Sequence, residues 1–69
     1  MITNEEKMGI INQHMRNVQV NKYNLELTLL EENALTSPNT ETVTSITAQI
    51  AEANKKIAVL ETELESVQD

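Results

Sequence analysis

The sequence predicts an all-α fold: a two-helix antiparallel coiled-coil hairpin, expected to assemble into a helical bundle. Three observations predict this fold. A single Gly and a single Pro leave little turn chemistry for a sheet. Apolar residues recur at intervals of three and four in two long segments, and one turn motif separates these segments. The 69 residues are enough for one small domain, which we place at residues 1–69.

Helix 1 is predicted at about residues 3–35. Thr3 and Glu6 have the spacing of a capping box, in which each side chain accepts a hydrogen bond from the other residue's backbone N–H. From Met8 onward, eight positions step by three and four and form one seam, of which six are apolar. These positions are Met8, Ile11, Met15, Val18, Lys22, Leu25, Leu29 and Glu32.

The turn is predicted at residues 36–39, and helix 2 at about residues 38–67. Pro38 disfavours helical geometry at Ser37, so Ser37 is predicted as the N-cap and Pro38 as the first helical residue. Helix 2 carries the clearer seam, without a polar interruption. Its positions are Val43, Ile46, Ile50, Ala53, Ile57, Leu60, Leu64 and Val67.

Folding the chain back between Ser37 and Pro38 aligns the two seams along their whole length. In this alignment Lys22 faces Ala53, which is small enough to leave room for the lysine methylenes. Lys22 is interpreted as a seam lysine with its ammonium in water. The alternative is that this polar seam position determines the register of the two helices or the choice of partner. A parallel pairing of helix 2 seams between chains remains an alternative.

Helix 1 has a second line of apolar residues at the same spacing. On a helical wheel its centre lies about 150° from the Leu25–Leu29 part of the seam. Helix 2 has only a weaker equivalent in Ala48, Ala51, Ala58 and Val59. An exposed apolar line of this kind is typical of a protein interface. We call it the outer stripe, and its residues are Val20, Tyr23, Leu27, Leu30 and Ala34.

Composition argues against several classes of partner. Eleven acidic and five basic residues give a net charge of −6, which opposes binding to nucleic acid or to an anionic membrane. No apolar run approaches the ~20 residues of a spanning helix. The absence of cysteine excludes thiolate chemistry. The charge also leaves open an acidic mimic of nucleic acid, although basic residues interrupt the acids.

Enzymatic chemistry is not expected, and neither is a cofactor, a metal or a small-molecule substrate. His14 is the single histidine and has no nucleophile and orienting acid at helical spacing, while Gly9 stands alone and forms no phosphate-binding loop. Four acidic residues lie close together at the end of helix 2. They are interpreted as a solvated tip, or alternatively as a docking point for a basic surface on a partner. They are Glu61, Glu63, Glu65 and Asp69.

The function predicted from these features is that of a non-enzymatic structural or assembly protein. Its partner is expected to be itself, as a homo-oligomer, or another protein. The composition, rich in Asn, Thr, Ile and Glu, is typical of small phage proteins, which suggests a virion accessory subunit. The expected location is therefore the cytoplasm or a particle assembled there. The alternative is a small helical binding module, such as an inhibitor, adaptor or chaperone, that docks the outer stripe on a different protein.

Overall fold

The computed structural model describes residues 1–68 and contains two long helices joined by one turn. Helix α1 spans Asn4–Asn33 and helix α2 spans Thr40–Ser66. They pack against each other in opposite directions and form a rod with extents of 54 × 16 × 14 Å. The predicted all-α helical hairpin is confirmed.

Helix α1 begins with the predicted capping box. Thr3 is the N-cap, in an extended conformation with φ −77° and ψ 163°. Its hydroxyl oxygen accepts a hydrogen bond from the Glu6 N–H at 3.1 Å, and the Glu6 carboxylate accepts one from the Thr3 N–H at 3.1 Å. Two backbone donors that would otherwise lack partners are thereby satisfied, and the acidic first turn complements the helix dipole.

The turn corrects one part of the sequence-based prediction. The N-cap of α2 is Asn39, not Ser37, so Pro38 precedes the helix and does not begin it. The Asn39 side chain accepts a hydrogen bond from the Thr42 N–H at 3.0 Å, and the Asn39 N–H donates to the Glu32 carboxylate at 3.3 Å. Both bonds fix Asn39 at the helix start, because an Asn side chain caps the third helical residue well. The connection is therefore longer than predicted and runs from residue 34 to residue 39.

The core of the hairpin is the seam between the two helices. All sixteen predicted seam residues are buried or half-buried, and every other residue that the structure describes is exposed. The most buried are Ile11, Ile46, Ala53 and Val67, at 9%, 6%, 4% and 8% exposure. Lys22 and Glu32 are half-buried, so the two polar seam positions also lie against the partner helix. The seam spacing thus predicts the burial pattern of both helices.

The seam of α2 is covered by α1 of the same chain. Pairing of α2 seams between chains, the alternative arrangement, would require this contact within the chain to open. Within residues 1–68 no ion pair joins the two helices: Lys55 and Glu52 form an ion pair at 3.1 Å, but both belong to α2 and both are exposed. The hairpin consequently depends on apolar contact along the seam.

We expect Ile46→Asp to unfold the hairpin at 25 °C. Burying an unpaired carboxylate costs several kcal/mol, whereas a core of this size rarely supplies more than ~3–5 kcal/mol. Helix content from far-UV circular dichroism measures the loss. Val59→Asp introduces the same charge into α2 at a side chain that is 67% exposed, and this control should keep its helix content. An equal loss of helix content in the two variants would contradict the assignment of the seam as the buried core.

Acid should weaken the start of α1. The hydrogen bond from the Thr3 backbone N–H, and secondly the Thr3 side chain, lower the pKa of Glu6 from its ordinary value of 4.5. Because the folded pKa lies below the unfolded one, this stabilisation is present above pH 4.5 and is lost as the pH falls through the lowered pKa.

Thermal unfolding of the parent and of Glu6→Gln between pH 7 and pH 3 tests this linkage. Glu6→Gln should lose less of its midpoint temperature on acidification than the parent does. Glu5→Gln removes the neighbouring carboxylate, which takes no part in the capping box, and serves as the control. A parent-like acid response in Glu6→Gln would show that the capping box carries no pH-dependent stability.

Candidate functional site

The outer stripe faces solvent along the half of α1 that leads to the turn. Its four large side chains are exposed to 46%, 61%, 39% and 67%, in the order Val20, Tyr23, Leu27 and Leu30. Ala34 is also exposed and forms the C-cap of α1 with right-handed helical geometry, φ −77° and ψ −13°. Since residues three and four apart share a helix face, all five predicted interface residues lie on one line.

The position of the seam explains why the outer stripe is uncovered. The stripe lies about 150° around the helix from the seam, and a single neighbouring helix can cover only one side of α1. From Val20 to Ala34 the stripe runs about 21 Å along the helix axis. Nearer the start of α1 the same face is polar, with Glu5, Asn12 and Arg16. The outer face of α1 is thus apolar near the turn and polar near the chain ends.

Further exposed apolar side chains lie outside the outer stripe. Ile10 is 49% exposed and Leu35 is 55% exposed, and neither was predicted. Ile10 belongs neither to the seam nor to the outer stripe, because it flanks the seam next to the buried Ile11. Its spacing therefore did not predict an exposed apolar side chain. Val59, from the weaker set on α2, is 67% exposed. These side chains are more scattered than the outer stripe and form no comparable line.

The two flanks of the seam form open grooves. Lys22, which is half-buried, lines one of them together with Glu26 and Glu61. The grooves of the opposite flank are lined by residues of both helices, including His14, Asn17, Asn21, Gln49, Lys56 and Val59. Within residues 1–68 no polar side chain is buried, so the grooves offer no enclosed polar site.

The acidic end of α2 carries exposed carboxylates. Glu61, Glu63 and Glu65 are all exposed, and Ser66 donates a hydrogen bond to the carbonyl and to the carboxylate of Glu63, at 2.7 and 2.9 Å. Asp69, the fourth acid of the predicted cluster, lies outside the described residues. The Glu63 carboxylate is therefore held by the Ser66 hydroxyl, whereas among residues 1–68 no such hydrogen bond is found for Glu61 or Glu65.

Metal ligands do not converge in the described part of the chain. No group of three His, Asp or Glu side chains in residues 1–68 is arranged to hold a metal ion. His14 is exposed and lines the groove beside Val59. The predictions that the protein is not an enzyme and needs no cofactor remain predictions.

Neither of the two helices, within residues 1–68, combines the length and the apolar character that crossing a bilayer requires. Comparison of the chain with protein-family models, with curated proteins and with solved structures gives no match.

Tyr23 reports directly on the outer stripe, because it is the one aromatic residue of the chain. In dilute protein we expect acrylamide to quench its fluorescence nearly as well as that of a free tyrosine derivative, since the side chain is 61% exposed. A Tyr23→Leu, Leu25→Tyr variant moves the reporter into the half-buried seam and should be quenched less. Equal quenching in the two proteins would contradict the assigned faces of α1.

Proposed function

We propose that the protein is a non-enzymatic structural or assembly protein whose hairpins associate with one another through the outer stripe. The observation that carries the proposal is that α1 is apolar on two opposite sides, while α2 covers only the seam. Val20, Tyr23, Leu27 and Leu30 form a contiguous line, and such a line exposed on a small helical protein is typical of an interaction surface.

The small size of the hairpin core supports association. Within residues 1–68 four side chains count as buried, and none of them is below 2% exposure. Chains of this length without disulfides or metals rarely gain more than ~3–5 kcal/mol from one core. Packing the outer stripe against that of a second copy would add apolar contact that the hairpin alone does not have.

The expected strength follows from the exposed area. The four large side chains expose on the order of 400 Å² per chain, and ~25 cal/mol per Å² gives about 10 kcal/mol for each stripe before the costs of association. Two stripes bury about 800 Å² in total, which is below the ~1,200 Å² of standard interfaces. We therefore propose association in the micromolar range or weaker, strengthened where several copies meet.

We extend the proposal to an accessory subunit of a larger particle, such as a virion, assembled in the cytoplasm. Composition supports this extension, since the chain is rich in Asn, Thr, Ile and Glu and has a single proline. Many copies on one particle would compensate for a weak contact between individual hairpins.

The double variant Leu27→Glu, Leu30→Glu tests the outer stripe. We expect it to stay helical, because both side chains lie outside the seam, and to lose association by at least about tenfold, because carboxylates are desolvated in the contact. Sedimentation velocity from micromolar to millimolar protein measures the mass. Ala58→Glu, Val59→Glu adds the same charge to the exposed face of α2 and should associate like the parent.

Two results would overturn the proposal. If the parent is monomeric at millimolar concentration, hairpins do not associate, and the outer stripe would then serve a different protein, as in an inhibitor, adaptor or chaperone. If the Leu27→Glu, Leu30→Glu variant associates like the parent, another surface forms the contact. Added salt should leave most of the association in place, because apolar contact supplies it, whereas the binding of a nucleic-acid mimic would collapse.

A further inference from the structure

We propose that the second copy binds antiparallel, with α1 packed against α1 around a two-fold axis near residue 25, so that Arg16 of each copy lies beside Glu31 of the other. This inference rests on the proposed self-association and adds its direction, its register and its ion pairs. It follows from the order of the residues along the outer face of α1 and from their charges.

The large residues of the outer stripe match themselves when the chain direction is reversed. Val20, Tyr23, Leu27 and Leu30 are separated by three, four and three residues, and this spacing reads the same in both directions. A two-fold axis near residue 25 places Val20 opposite Leu30 of the other copy and Tyr23 opposite Leu27. Every large side chain then meets a large apolar side chain, in the layer pattern of an antiparallel coiled coil.

The charges flanking the outer stripe also favour the antiparallel direction. Arg16 continues the stripe on the side of the chain start, and Glu31 lies beside the stripe near the turn. Neither forms an ion pair within residues 1–68. Reversal around residue 25 brings Arg16 to within about 5 Å, measured along the axis, of Glu31 in the other copy. The two-fold symmetry gives two such pairs.

A parallel pair would place like charges next to each other. It places Arg16 beside Arg16 of the other copy, and Glu26 beside Glu31 at the flanking positions. In the antiparallel pair the only like-charge contact near the stripe is Glu26 with Glu26 of the other copy, close to the axis. The antiparallel direction therefore gains two opposite-charge contacts and keeps one repulsive contact, whereas the parallel direction gains none.

The position of the outer stripe also determines the shape of the pair. Because the stripe and the seam lie about 150° apart on α1, the four helices form a nearly flat row and not a square bundle. The two α1 helices lie in the middle, and an α2 helix lies at each edge. With helix axes 8–10 Å apart, the axes of such a row span about 27 Å.

Cysteine pairing tests the direction, because the chain has no cysteine of its own. Val20→Cys and Leu30→Cys chains are mixed at equal amounts in a glutathione redox buffer, and mass spectrometry counts the disulfide-linked species. The antiparallel pair predicts that 20–30 disulfides exceed 20–20 and 30–30 disulfides several-fold. Thr44→Cys, on the exposed face of α2, gives the background. A predominance of 20–20 and 30–30 disulfides would overturn the antiparallel direction.

Charge reversal tests the ion pairs by sedimentation. Glu31→Arg and Arg16→Glu should each weaken association about tenfold, since two pairs are broken, and the Arg16→Glu, Glu31→Arg double variant should recover to within about twofold of the parent. Glu26→Arg, the matched control, should leave association nearly unchanged, because like charges still face each other at the axis.

The parallel pair predicts the opposite result for the key variant. Glu31→Arg and Glu26→Arg would each strengthen association, because each removes the repulsion between these two glutamates. Stronger association of Glu31→Arg, or no recovery in the double variant, would overturn the antiparallel pair while the parent still associates. A parent that stays monomeric would instead overturn the proposed self-association itself.

Discussion

The fold depends on one interaction, the apolar contact between α1 and α2 along the seam. Every buried or half-buried residue that the structure describes belongs to this contact. Because the hydrophobic effect has no preferred direction, the seam tolerates flexible methionines and a lysine as long as their positions repeat at three and four. The helix ends need directional bonds instead, and they receive them at Thr3 and Asn39.

This division explains how much of the fold could be predicted from sequence. The seam spacing predicts which side of each helix is buried, and it places Ile11, Ile46 and Ala53 correctly among the covered positions. The turn was harder, because Ser37 and Asn39 both have capping side chains and both lie next to Pro38. The choice of N-cap depends on which of the two side chains reaches a free backbone N–H. The hydrogen bond from the Asn39 N–H to the Glu32 carboxylate also favours Asn39, and the spacing of residues does not reveal this contact.

The candidate site was predictable to a different degree. The exposure of Tyr23 and Leu27 follows from the helical repeat and from the presence of only one partner helix. The proposed cover of the outer stripe is a second molecule, and a single chain carries no contact with it. The charges of Arg16 and Glu31 add information because they lie outside the seam, are free of ion pairs in the described residues and have opposite signs at the two ends of the stripe.

The outer stripe lies off the centre of the rod, towards the turn. In the proposed antiparallel pair the two rods therefore could not lie flush, and each would be displaced along the other by about 20 Å. About two-thirds of each 54 Å rod, on the side of the turn, would overlap, while the tips with Glu61, Glu63 and Glu65 would lie towards opposite extremes. Two chains that each carry a net charge of −6 would thus keep their acidic tips well apart in the proposed pair. Staggered overlap of this kind would also leave the projecting third of each rod free to meet further neighbours.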